Sequence, residues 1–179
     1  LPADRSERYQ REWQLPPSDA EALVVSRPLA EYFETVASKV NPRLAANWVR
    51  NEVLRILNDR AIDLAEFRLS AEMLAELIQL VESGVIGGKI AKEVFDEVAD
   101  SGGSPRAIVE RKGLSQVSDP AVVRDAVTRV IERHPEQVAL FRSGREQVFG
   151  FLVGQVMKET RGRANAPMVN SILRELLGG

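Results

Sequence analysis

The sequence of 179 residues contains no cysteine and one histidine, His134. Without thiols there is no disulfide, no thiolate nucleophile and no cysteine-ligated zinc or iron–sulfur centre. A lone imidazole excludes a His-rich metal site and leaves any triad chemistry dependent on one residue, so no metal site is expected. No apolar run approaches the ~18 residues that would span a bilayer, and no membrane partner is expected. The opening LPADRSERYQREW is polar and unlike a secretory signal. It begins with Leu rather than Met, which suggests a fragment or a processed product. A reducing compartment, the cytoplasm, is the simplest location for such a chain. The phosphate-binding GxxxxGK[ST], the dinucleotide GxGxxG, the zinc-protease HExxH and the hydrolase GxSxG are all missing. No catalytic residue is therefore expected.

What is present is an ordinary globular mixture, with 44% apolar and 28% charged residues. A chain of this size buries roughly 70% of its unfolded surface and needs no covalent staple. One or two domains fit the length.

The hydrophobic pattern is helical throughout, with no convincing strand. Ser18 and Glu21 have the spacing of a capping box. Pro28 interrupts the following run and begins a second helix reaching about Ser38. Asn41-Pro42 is a start signal, followed by a stripe of Ala45, Trp48, Val49, Val53, Ile56 and Leu57. Residues 60–69 read as a connection. Ser70 caps a helix with Met73, Leu74, Leu77, Ile78 and Val81 on its inner face, ended by Gly84. After Gly87-Gly88 the segment KIAKEVFDEV gives another amphipathic helix, and Ser104-Pro105 starts a short one that stops at Gly113. LSQVSDP is a turn-rich joint.

Beyond the joint, Asp119-Pro120 opens a helix, and Pro135 restarts the chain. The strongest helix runs from about Arg145 to Arg161, with Val148, Phe149, Leu152, Val153, Val156 and Met157 apolar and Gly162 as its stop. Asn165 caps the last helix. The fold class is all-α in two parts: a helical domain over 1–117, whose first 15 or so residues act as a linker, and a small three-helix tail bundle over 118–179.

Charge is divided along the same line. Residues 1–117 carry 15 Lys and Arg against 19 Asp and Glu, whereas 118–179 carry 9 against 7. Between 142 and 163 stand Arg142, Arg145, Lys158, Arg161 and Arg163, opposed only by Glu146 and Glu159. Such a local excess attracts phosphates even on a chain of net charge −2. Solvated helix faces would produce the same composition.

Other features have bland readings beside functional ones. Gly87-Gly88-Lys89 before a helix offers backbone N–H groups to an anion, or is a flexible start with a solvated lysine. His134 suits a helix end as a cation better than it suits catalysis. Gly150 and Gly154 share a face of the strongest helix, and each costs about 1 kcal/mol relative to Ala there. Close approach of another helix, or of an RNA backbone, would offset that cost. Trp13, Trp48, Phe33 and Phe95 read as core anchors rather than base-stacking platforms.

Several long stretches carry a family resemblance: SRPLAEYFE (26–34), NPRLAANWVRNEVLRILN (41–58), SGVIGGKIAKEVFDEV (83–98), GLSQVSD (113–119) and GFLVGQVMKETRGRANAPMVNSILRELL (150–177). Together they resemble the C-terminal part of the B-subunit family of bacterial tRNA-dependent amidotransferases, and the second half is also similar to the YqeY-type proteins. The likeness covers essentially the whole sequence.

The resemblance implies a component of an ATP-dependent carbon–nitrogen ligase that converts Glu-tRNA(Gln) or Asp-tRNA(Asn) to Gln-tRNA or Asn-tRNA. In that family ATP and Mg²⁺ act in a catalytic domain upstream of the part resembled, so no cofactor is expected in this fragment, which would be non-catalytic by itself. Its partners would be tRNA and the amidotransferase A and C subunits, and its role would be to position the tRNA elbow. The candidate RNA-binding residues are Arg142, Arg145, Lys158, Arg161 and Arg163, with Lys89 and Lys92 as secondary contacts. The alternative reading is a helical protein–protein docking module in the same or another translation complex.

Overall fold

The computed structural model describes residues 1–178; Gly179, the last residue of the expected tail, lies outside the described residues. The chain is all-α. Among the described residues the only β pairing is an isolated parallel bridge between Val117 and Ala164. The helices are α1 (Pro2–Trp13), α2 (Pro17–Leu23), α3 (Arg27–Ala37), α4 (Pro42–Trp48), α5 (Leu54–Arg60), α6 (Ala71–Glu82), α7 (Gly88–Ser101), α8 (Pro105–Lys112), α9 (Pro120–Arg133), α10 (Pro135–Arg142), α11 (Gln147–Glu159) and α12 (Ala166–Leu177). A π turn over Val49–Val53 joins α4 to α5, and a 3₁₀ turn covers Leu64–Glu66. Among the described residues no helix is long and apolar enough to cross a membrane.

Side-chain caps set most of the starts foreseen from sequence. Asn41 Oδ1 accepts from the N–H groups of Arg43 (2.9 Å) and Leu44 (3.4 Å). Ser70 Oγ accepts from Met73 N (3.2 Å), Asp119 Oδ1 from Ala121 N (2.9 Å) and Asn165 Oδ1 from Met168 N (3.1 Å). Each satisfies a donor that the helix itself leaves orphaned. Ser18 does not act this way. Helix α2 begins at Pro17 with Pro16 as its N-cap and no side-chain cap, because the ring of Pro17 presets a helical φ one residue earlier.

The contacts group the chain into two compact units. One comprises residues 1–83 and 91–112; the other comprises 84–90 and 113–179.

In the first unit α1 packs on α2, and α3 packs on α4 and α6. The opening segment, read from sequence as a linker, is the helix α1. Its Tyr9 is fully buried, stacked on Trp13 at 5.0 Å and edge-on to Phe33 at 5.2 Å between ring centroids. The Tyr9 hydroxyl donates to Glu34 Oε1 (2.7 Å), and that carboxylate also meets Arg8 (2.5 Å). Burial and the Glu34 carboxylate push the Tyr9 phenol well above its ordinary pKa. A second aromatic group places Phe95 near Trp48 (5.9 Å) and Phe67 (6.1 Å).

In the second unit α9 packs on α12 and α11, and α10 on α11. Its core holds Val123, Val127, Val130, Phe141, Leu152, Val156, Val169 and Leu173 among others. The expected three-helix bundle thus has four helices. Pro135, at the first position of α10, has no N–H to donate back into α9, so the chain restarts as a separate short helix that buries Val138 and Phe141.

Candidate nucleic-acid interface

Helix α11, expected from sequence to reach about Arg161, ends two residues sooner. Its last residue is Glu159, Thr160 is the C-cap, and Arg161 (φ 55°) and Gly162 (φ 72°) follow in the left-handed region. The turn is closed by Gly162 N donating to Met157 O (2.7 Å) and Arg161 N to Lys158 O (3.1 Å). Gly162 tolerates that φ freely; Arg161 adopts it at a cost, as a non-glycine residue in a sparsely populated region.

The segment after the turn is clipped to the joint. Val117 N donates to Arg163 O (2.6 Å) and Asn165 N to Val117 O (2.9 Å), which makes the Val117–Ala164 bridge. The guanidinium of Arg163 donates through Nε to Ser115 O (3.0 Å). Gln116 N in turn donates to Val85 O. Ile90 Cδ1 lies 4.0 Å from where a Cβ at Gly162 would stand. Lys89, next to Ile90 and exposed, is thereby brought to the same end of the unit as Arg161 and Arg163.

Arg142 and Arg145 sit at the opposite end of α11, about 20 Å away by helix rise. Arg142 ends α10 and donates through Nε to Leu177 O at the end of α12 (3.4 Å). That places a cation at a helix C-terminus, where the dipole favours it. Arg145 is exposed in the turn before α11, and its side chain has no hydrogen-bonding partner among the described residues. Lys158 is exposed near the other end of the helix. Lys92 belongs to the first unit and faces Glu52 at 3.7 Å, so Lys89 and Lys92 fall in different units.

Ion pairing sorts the cations of the second unit into two groups. Arg124 pairs with Glu175 (3.0 Å), Arg129 with Glu159 (2.6 Å), Arg133 with Glu159 (3.7 Å) and Arg174 with Glu146 (3.8 Å). None of Arg142, Arg145, Lys158, Arg161 and Arg163 meets a carboxylate among the described residues; two of them donate only to neutral carbonyls. Their charge is therefore not cancelled locally, and it stays available to an anion.

Sequence reasoning misses a groove of about 350 Å³ beside α11, lined by Val130, Arg133, His134, Gln155, Lys158 and Glu159. His134 is both the C-cap of α9 and the N-cap of α10, and its ring is in T-shaped contact with Phe151 (5.4 Å between centroids). Phe151 falls off the apolar stripe of its helix, and that offset is the signal the sequence offers. No group of three or more acidic or histidine side chains among the described residues is arranged to hold a metal ion.

Gly150 and Gly154 are exposed, and among the described residues no atom beyond their own stretch of helix lies within 4 Å of a Cβ built at either. They are not there to admit another helix of this chain.

Comparison with known proteins gives the setting. The chain is 45% identical over 178 residues to the B subunit of the aspartyl/glutamyl-tRNA(Asn/Gln) amidotransferase from Thermosynechococcus vestitus, covering 99% of this chain and 36% of that protein. It is 46% identical to the protein of the same description from Persephonella marina, covering 99% and 38%. For that of Geobacillus kaustophilus the identity is 44%, again covering 99% and 38%. The chain thus spans a little over a third of the length of these relatives. The family described as the GatB domain matches residues 31–177, most of the sequence, and the chain belongs to that family.

Proposed function

We propose that this chain is the C-terminal, RNA-holding part of the B component of a tRNA-dependent amidotransferase, with no chemistry of its own, and that it positions the elbow of a misacylated tRNA. The relatives are amidotransferase B subunits by description, and the two units fit a helical arm and a tail bundle that grips. ATP, Mg²⁺ and the A and C subunits belong to the remainder of the assembly in this reading, and the setting is the cytoplasm.

The observation that carries the proposal is the set of five cations without carboxylate partners, placed at the two ends of α11. A folded tRNA elbow offers phosphates and 2′-hydroxyls and few readable base edges. Holding it requires cations at fixed separations more than a base code. Lys158, Arg161 and Arg163 around one turn, with Arg142 and Arg145 about 20 Å off, suit two backbone segments of one RNA.

The test is binding of a tRNA transcript over a range of salt concentrations. Arg161→Glu with Arg163→Glu weakens binding and flattens the salt dependence. Arg161→Gln alone removes no structural hydrogen bond and lowers the slope of log K against log salt by about 0.7–0.9, the value of one phosphate contact. Circular dichroism of each variant checks that the fold is kept. Unchanged affinity together with an unchanged slope in both variants refutes the assignment.

A further inference from the structure

Phe151 is 43% exposed, while every other Phe, Tyr and Trp among the described residues is buried or half-buried. It stands on the solvent side of α11 with Gln155 and Lys158 four and seven residues on, which puts the three along one face. From Gln147 to Lys158 the helix carries no carboxylate. The one acid of the adjoining groove, Glu159, is already held by Arg129 and Arg133, which leaves Lys158 uncompensated on the rim. His134 braces the Phe151 ring from the α9–α10 corner. The face therefore pairs an open aromatic surface with an uncancelled cation beside a groove of about 350 Å³.

We propose that this face is a single-nucleotide site, on which an unpaired base of a bound RNA stacks against Phe151 while its phosphate meets Lys158. Gln155 presents both a donor and an acceptor to the base edge. A nucleotide brings a π face and an anion together, which matches the pairing of ring and cation here. An apolar protein helix would cover Phe151 but leave Lys158 desolvated and unpaired, at a cost. The open positions at Gly150 and Gly154 keep the path over the helix free of side chains.

The inference rests on the RNA-binding reading above, and one set of titrations separates the two. The 179-residue chain is titrated with an unmodified tRNA transcript as wild type, Phe151→Leu, Phe151→Trp and Lys158→Gln, with thermal melts and capture assays on the amidotransferase A and C subunits run alongside. Phe151→Leu keeps apolar bulk without a π face, and its affinity falls roughly tenfold, the worth of one base–aromatic stack, at an unchanged salt slope. Phe151→Trp binds at least as tightly as wild type. Lys158→Gln loses both affinity and slope. If the wild type binds with a steep salt dependence and Phe151→Leu binds equally well, the nucleotide site is overturned and the proposed function stands. If Phe151→Leu keeps its RNA affinity but loses capture of the A or C subunits, the face docks protein and the inference is likewise overturned. A wild-type chain with no salt-dependent binding removes the RNA reading and this site with it.

Discussion

Glycine at 154 illustrates how a residue can be suboptimal for folding. It sits inside a helix, exposed, and beyond its own stretch of helix no described atom lies within 4 Å of its absent Cβ. Gly154→Ala should therefore raise stability by up to about 1 kcal/mol, read as a higher melting temperature, because it restricts the unfolded chain and meets no clash. A fall in melting temperature would mean that the added methyl group does meet a neighbour. Tyr9 is the opposite case. Its ring is buried against Trp13 and Phe33, and its hydroxyl donates to the Glu34 carboxylate. Tyr9→Phe leaves the packing in place and removes a hydrogen bond to a charged acceptor, for an expected loss of about 1.5–3 kcal/mol in denaturant unfolding. A neutral substitution would show that the hydroxyl–carboxylate bond adds nothing to stability.

At the scale of elements, the caps were the most legible feature. Asn41, Ser70, Asp119 and Asn165 each make the bond that their position before an apolar run predicts. Replacing Asn165 by Ala should cost about 1 kcal/mol, measured by thermal melting, since it strips the first turn of α12 of its acceptor. The pairing of α7 with α8 invites a pH test. Lys112 chiefly, with Arg111, holds the Glu97 carboxyl below its ordinary range. A depressed carboxyl contributes stability above its unfolded pKa and loses it as pH falls through its folded pKa. Glu97→Gln should therefore narrow the stability gap between neutral and acidic pH. Equal acid sensitivity in wild type and variant would show the ion pair to be fully screened.

Element boundaries were less legible where two signals compete. The apolar stripe of α11 runs on to Met157, and the basic residues beyond it look helical, yet the chain turns left-handed at Arg161 and Gly162. That turn takes Arg161 and Arg163 out of the helical register and clips Arg163 to Ser115. Periodicity has no register for such a turn, and the glycine marks only its second residue. The short α10 was missed for a related reason: eight residues show too little period to be counted, and only burial of Val138 and Phe141 makes them a helix.

At the scale of the whole molecule, charge is what connects the fold to the proposed function. A net charge of −2 conceals a second unit whose uncancelled cations cluster at the ends of one helix. Binding of a tRNA transcript should for that reason weaken steeply as salt rises, despite the acidic total. A salt-independent association would point to a protein partner instead.

The order of most helices, most of their caps, the apolar faces and the basic stretch at 142–163 are local properties of the chain, and the sequence alone determined them. Family membership was legible in the same way, through long local stretches. Which cations stay unpaired depended on partners 26 to 51 residues away, as with Arg133 and Glu159 or Arg124 and Glu175. The exposure of Phe151, the open space beside Gly154 and the placing of Ile90 against the turn at Gly162 were likewise decided by packing. Local pattern sets what each helix is; only long-range contact sets which of its charges and surfaces are left for another molecule.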